Sequence, residues 1–262
     1  MISIAVLTIR ERVRQLMWSV IGMVSLVAML VAMWPSYRKV DISSVYGAMP
    51  ESVQAMFGIT GGQFTGMNYV NAELFSFMVP VVVIGIAIAA GNGAICGEES
   101  TGRMDLILSC GIRRHELVLG RVIGIAGELA LIVASMGAAL VVGDLMVDLD
   151  LEIDGLVAAL LVSWLLGVLY AALAMAIACW TGRGGVAVGV AAAIGLTSWL
   201  LSSLGGIVPD LREVSHATAF YAYQYGPPIL HGIDGVRVAQ LAIEAAVLIG
   251  VAVMGFRRRD VG

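Results

Sequence analysis

Apolar residues gather into six long runs, at 16–34, 70–95, 122–142, 156–179, 186–208 and 236–256, each bounded by polar or charged positions. About 20 apolar residues in helical conformation cross a hydrocarbon layer of about 30 Å, so every run is long enough to span a membrane. The runs lack the residue-by-residue alternation of barrel strands, and a helix satisfies its own backbone hydrogen bonds in lipid. The pattern predicts an all-α polytopic membrane protein of six transmembrane helices, forming a single domain over residues 1–262. No internal repeat is visible. Ahead of the first run, Val6, Ile9, Val13, Leu16 and Met17 share one helical face while Arg10 and Arg14 lie on another. That suits an interfacial helix in the headgroup layer, with a simple extension of the first span as the alternative. Two longer segments separate spans on the other side, 35–69 with a short helix expected near 52–57, and 209–235.

Basic residues set the expected orientation. Arg10, Arg12, Arg14, Arg103, Arg113, Arg114, Arg121, Arg183, Arg257, Arg258 and Arg259 fall on one side of a six-span arrangement, and Arg38, Lys39, Arg212 and Arg237 on the other. An excess of eleven over four predicts that both termini face the cytoplasm. Composition agrees, with 60% hydrophobic and 13% charged residues, against roughly 25% charged in soluble domains. The net charge of −4 hides this asymmetry, because the segment from Asp144 to Asp154 carries five acids and no base. Nucleic-acid binding is not implied. The first span is too long for a signal-peptide core and lacks a small-x-small cleavage site, so it is expected to remain in the protein.

Catalytic and metal chemistry find little support. Cys96, Cys110 and Cys179 fall near the expected cytoplasmic side, where thiols stay reduced, and His115, His216 and His231 are scattered, so neither a disulfide nor a metal site is expected. A phosphate-binding P-loop needs Gly-x-x-x-x-Gly-Lys-Ser/Thr, and the single lysine, Lys39, lies in an external segment. The chain is therefore expected to be no enzyme and to carry no cofactor. Ser36 and Lys39 have the Ser-x-x-Lys spacing of penicillin-binding enzymes without that family's companion motifs. Asp150 to Gly155 imitates the opening of a calcium loop, but position twelve is Leu161 instead of a bidentate Glu. Gly93 and Gly97, and Gly185 and Gly189, have the spacing of close helix-packing faces.

Two carboxylates, Glu128 and Glu244, stand about two turns inside the third and sixth runs. A charge facing lipid there is penalised by roughly 2.5 to 3.5 kcal/mol, so both should face protein or water. They are candidates for the translocation pathway or for a protonation site, with hydrogen bonding between helices as the structural alternative, and Glu128 has no evident basic partner. The aromatic group Phe220, Tyr221, Tyr223 and Tyr225 reads as an interfacial anchor or a gate for a hydrophobic substrate. The 14 methionines, spread through the apolar runs, read as adaptable packing.

The loop between the second and third spans, Cys96-Gly-Glu-Glu-Ser-Thr-Gly-Arg-Met-Asp-Leu-Ile-Leu-Ser-Cys-Gly-Ile-Arg-Arg-His-Glu-Leu-Val-Leu-Gly-Arg121, is charged and helix-prone. Together with Met49-Pro-Glu51, Phe57-Gly58, Asn71-Ala-Glu-Leu-Phe-Ser-Phe77 and Phe256-Arg-Arg-Arg-Asp260, it resembles the type-two permeases of bacterial ABC exporters over nearly the whole chain. Arg103, where the family usually has Thr, and Gly111, where it often has Pro, are departures. The resemblance implies a dimer of permeases with two separate ATPase subunits that bind ATP and Mg, and a cytoplasmic coupling helix after the second span. It points to export of a drug, an antibiotic or a lipid. Glu98, Glu99, Gly102, Arg103, Met104, Asp105, Ile107, Leu108, Arg113 and Arg114 are the candidate coupling residues. Thr101 is expected to cap the coupling helix, with Met104, Ile107 and Leu108 on its docking face and Glu98, Glu99 and Arg103 at the rim of the partner's groove. An ATP-independent carrier or channel using an intramembrane Glu, or a membrane scaffold, is the alternative.

Overall fold

The computed structural model describes residues 12–37, 65–102, 104, 113–205, 208–224 and 226–259. No strand occurs among them. Six helices are long and apolar enough to cross a membrane: α1 (Val13–Tyr37), α2 (Gly66–Ser100), α3 (Arg114–Val147), α4 (Ile153–Thr181), α5 (Gly184–Gly205) and, after three short ones, α9 (Gly235–Arg258). Each contains the apolar run expected of it, except that the fifth run extends past Gly205. Most helices outrun their apolar cores because polar, helix-favouring ends continue the ladder. Of the expected interfacial helix, Val13, Arg14, Leu16 and Met17 are continuous with α1, as in the alternative of a simple extension of the first span; its earlier residues, the 52–57 helix, Arg103, Asp105, Ile107, Leu108 and Tyr225 lie outside the described residues.

Helix α4 is the axis of the bundle, packed against α2, α3, α5 and α9. Its sequence is apolar on every face, and a helix of that kind is buried all round. In lipid there is no hydrophobic drive between helices, so association depends on close van der Waals approach through small residues. Ala158, Ala159, Ala171, Ala172, Ala174, Ala176 and Ala178 of α4 are all buried. Between two spanning helices the closest backbone approach is at Gly91 of α2, where an added Cβ would stand 2.2 Å from the Ala171 carbonyl oxygen. The expected glycine faces are not used this way. Among the described residues, nothing lies within 4 Å of a Cβ added at Gly97, Gly185 or Gly189, and Gly93 meets only the end of Arg12. The i, i+4 spacing defines a small-residue face without deciding whether a neighbour covers it.

Two apolar clusters stack along the bundle. One joins α1, the first half of α2, the second half of α3 and the start of α4, including Met23, Val27, Leu74, Ile132 and Met136. The other joins the remainder of α2, α3 and α4 with α9, including Ile95, Leu117, Ile125, Tyr170 and Phe256.

Helix α2 is not uniformly α-helical. Residues Asn71–Met78 and Gly93–Gly97 are π-helical, flanking an α-helical stretch that contains Pro80. The Val79 amide bonds to Leu74 O, five residues back. Pro80 has no N–H to give to the carbonyls of the preceding turn, where Phe75 O and Ser76 O lie. Both are supplied from outside the helix: the Tyr223 hydroxyl donates to Phe75 O at 2.8 Å and Gln224 Nε2 donates to Ser76 O at 2.9 Å. These donors stand on α7 (Ala219–Gln224), which follows α6 (Arg212–His216) and precedes α8 (Pro228–His231). The α7 segment folds back into the bundle, with Phe220 and Tyr223 buried and the Phe220 amide bonded to Ser198 Oγ at 3.1 Å. These two rings are thus neither interfacial anchors nor an exposed gate. Tyr221 instead stacks on His216 and lies beneath Arg237, whose guanidinium carbon is 5.1 Å from the ring centroid. Replacing Tyr223 by Phe keeps the ring and leaves a buried acceptor unmet, a loss of about 1 to 3 kcal/mol. A lowered midpoint of detergent-phase unfolding is expected, and a midpoint equal to the parent's would mean that the Phe75 carbonyl is satisfied without Tyr223.

Candidate functional site

The described chain begins and ends at one end of the bundle, where a charge network is buried. Arg12, immediately before α1, places Nε 3.0 Å from Glu128 Oε2 and donates from Nη1 to Ala90 O at 3.1 Å. Glu128, 1% exposed, therefore has the basic partner that the sequence did not reveal. The contact is one of charge, since Arg12 Nε and the two carboxylate oxygens do not reach hydrogen-bond alignment. Burial lowers the Arg12 pKa from its ordinary value, the Glu128 charge opposes that and the Arg121 charge adds to it. An arginine keeps its proton under such conditions.

The ends of α2 and α3 are tied beside this pair. Arg121 Nη2 lies 3.4 Å from Glu98 Oε1, with both residues buried. Arg259 Nη2 lies 3.1 Å from Glu99 Oε2, and Arg259 Nη1 donates to Ala178 O of α4 at 3.4 Å. Arg114 Nη1 donates to Phe256 O at 3.3 Å and to Arg259 O. Glu98 and Glu99 thus point into their own chain, in contrast to the expected partner rim. The reason is local: α2 remains helical through Ser100, which turns both carboxylates toward α3 and the end of α9.

Thr101 also differs from expectation. Its hydroxyl donates to Gly97 O and Glu98 O, both at 3.1 Å, and it caps the end of α2 instead of starting the next helix. Gly102 follows at φ +69°, a left-handed conformation that ends a helix without the Cβ penalty. Met104 is buried against the chain's own core, so it is unavailable for the expected docking face. Arg113 remains exposed at the start of α3.

Arg12 marks the level at which α1 begins, opposite Ala90 and Glu128. Beyond that level α2 continues for 10 residues, from Gly91 to Ser100, and α3 for 14 residues, from Arg114 to Gly127. At 1.5 Å per residue these extensions are about 15 and 21 Å long. The 101–113 segment therefore joins two helix ends that extend past the start of α1 and are braced against α9 and α4.

Glu244 is elsewhere. It faces a groove of about 720 Å³ between α4, α5 and α9, also lined by residues 217–219. The Gln240 amide donates to its Oε1 at 3.0 Å, and Arg237 Nη1 donates to Gln240 Oε1 at 3.2 Å. Among the described residues Glu244 has no ion-pair partner. The two intramembrane carboxylates, equivalent in the sequence, are thus a buried pair and a groove-facing acid. Among the described residues no group of three or more His, Cys, Asp or Glu side chains is placed to hold a metal ion.

Arg12, Arg121 and Arg259 are the functional residues that sequence reasoning missed as partners. The signal for Arg12 was a basic residue one position ahead of an apolar helix in a chain with a lone carboxylate inside the third.

Six helices long and apolar enough to span, packed around a central small-residue helix, define a polytopic membrane protein. A family model described as ABC-2 family transporter protein matches residues 43–252. The chain belongs to that family. No curated protein matches it. The family implies ABC ATPase partners in general.

Proposed function

We propose that this chain is the transmembrane permease subunit of an ATP-driven exporter that moves a hydrophobic or amphipathic substrate out of the cytoplasm. The observation that carries the proposal is the bracing of the α2 and α3 ends around the 101–113 segment. Glu98 is tied to α3, and Glu99 through Arg259 to α9 and α4. A push on that segment would reach four of the six spans together, which is what transmitting an ATPase's closure requires. ATP and Mg would be bound by two partner ATPase subunits, and a second permease copy or a related permease would complete the translocation path. Glu128, paired with Arg12, offers a proton-driven carrier little support.

The orientation follows the charges. Arg12, Arg14, Arg113, Arg114, Arg121, Arg183, Arg257, Arg258 and Arg259 gather toward one end, against Arg212 and Arg237 at the other among the described residues. The positive-inside rule puts the first end in the cytoplasm of the plasma membrane. In a cysteine-free background, an impermeant thiol reagent added to intact cells should label cysteines at Asp150 and Asp210, both exposed, and spare one at Arg113. Ser215 is buried and unsuitable as a probe. Labelling at Arg113 in intact cells would overturn the orientation.

The coupling role is tested with the cognate ABC ATPase, co-expressed with the full chain. Glu99→Gln should retain the ATPase on purification yet lower transport per ATP hydrolysed severalfold, because the brace to Arg259 is lost. Arg113→Glu should weaken retention itself, since Arg113 is exposed beside the segment. Ile107→Asp and Leu108→Asp are expected to abolish retention if those side chains dock. A complex indifferent to all four substitutions, with coupling unchanged, would show that 97–121 is not the coupling element.

A further inference from the structure

The groove bounded by α4, α5 and α9 combines three properties that together select a ligand. Its walls are aliphatic, with Leu173, Ile194 and Val247 among the lining residues, and its volume of about 720 Å³ is that of a drug-sized site. One aromatic ring, Tyr170, borders it. Among the described residues, one acid, Glu244, faces it and no lysine or arginine lines it. Glu244 lies nine residues into α9, about 13 Å along the helix. The side chains bonded to it lead back along α9, Gln240 first and then Arg237, so the nearest support on its own helix is a neutral amide.

A carboxylate set among apolar walls is stabilised by an opposite charge brought to it. An anion would be repelled, and an acyl chain would leave the carboxylate uncompensated. We infer that this groove is the binding site for a lipophilic organic cation, whose charge is neutralised by Glu244 and whose apolar body fills the space between α4, α5 and α9. The inference rests on the permease reading and specifies its substrate class.

The test uses the full chain in nanodiscs of zwitterionic lipid, with binding to empty nanodiscs subtracted. Tetraphenylphosphonium and tetraphenylborate are nearly identical in size and shape and opposite in charge. The cation is expected to bind saturably and at least about tenfold more tightly than the anion. Glu244→Gln should weaken cation binding at least about tenfold. Ala193→Trp, which fills the groove and keeps the carboxylate, should weaken it comparably, so a folding defect in one variant leaves the other as a test. Equal binding of the two ions, cation affinity indifferent to both substitutions, or displacement of the cation by phospholipid acyl chains alone would overturn the site. ATPase retention by the same preparations is read separately. A chain that holds its ATPase and binds no cation refutes the groove assignment while leaving the permease reading intact, and loss of ATPase retention in the parent chain refutes the latter.

Discussion

Replacing Arg12 by Ala is expected to destabilise the protein by about 3 to 5 kcal/mol, the usual consequence of removing one partner from a buried ion pair. The side chain of Glu128 is 1% exposed and that of Arg12 13%, so water cannot take over the interaction. Arg12 also supplies a hydrogen bond to Ala90 O, and through it the start of α1 is attached to both α2 and α3. Its loss should loosen the contact of α1 with α3 over the first turns. Adding Glu128→Gln to Arg12→Ala should recover a large part of the loss, because a buried amide carries no charge. Unfolding of the purified parent, single and double variants in a graded mixture of mild and denaturing detergent measures this. A single variant as stable as the parent, or a double variant less stable than the single one, would refute the pairing as a source of stability.

Replacing Gly91 by Leu is expected to prevent assembly of the bundle, and Gly91→Ala to cost about 1 to 3 kcal/mol as an overpacking change. An added Cβ would sit 2.2 Å from Ala171 O and 3.0 Å from its carbonyl carbon, both backbone atoms that no rotamer change can move. Helices α2 and α4 would have to separate, and their contact is one of the two most extensive in the bundle. Gly85 provides the comparison on the same helix, because none of the described residues lies within 4 Å of its added Cβ. Gly85→Ala should be neutral or slightly stabilising, since Ala is the better helix former. The yield of monodisperse protein and its thermal midpoint distinguish the two sites, and equal behaviour of Gly91→Ala and Gly85→Ala would exclude the close approach.

The fate of the two intramembrane carboxylates shows where sequence reasoning stopped. Both were recognisable as groups needing a protein or aqueous environment, because lipid penalises charge wherever it occurs. Which carboxylate meets an arginine depends on the level at which α1 starts relative to α3, a quantity set by packing between residues more than a hundred positions apart. The same limit applies to Tyr223 and Phe220, whose amphipathic rings suit an interface by composition. The carbonyls left open around Pro80 of α2 drew Tyr223 inward, as an acceptor 148 residues away in the chain.

The sequence by itself determined the class, the six spans and the asymmetry of charge between the two ends. These are consequences of a fixed hydrocarbon thickness and of helical hydrogen bonding, and they need no knowledge of which helix touches which. Family membership was likewise legible in the order of motifs around the second and third spans. Only the tertiary structure decided that α4 is the central helix, that Gly91 rather than Gly97 or Gly185 is the point of close contact, and that Glu98 and Glu99 turn inward to Arg121 and Arg259. Small residues and carboxylates have no preferred partner in one dimension. The partner is chosen when helices of different length are brought to a common level and rotated until their small faces meet, and only then do charges at their ends fall within reach of one another.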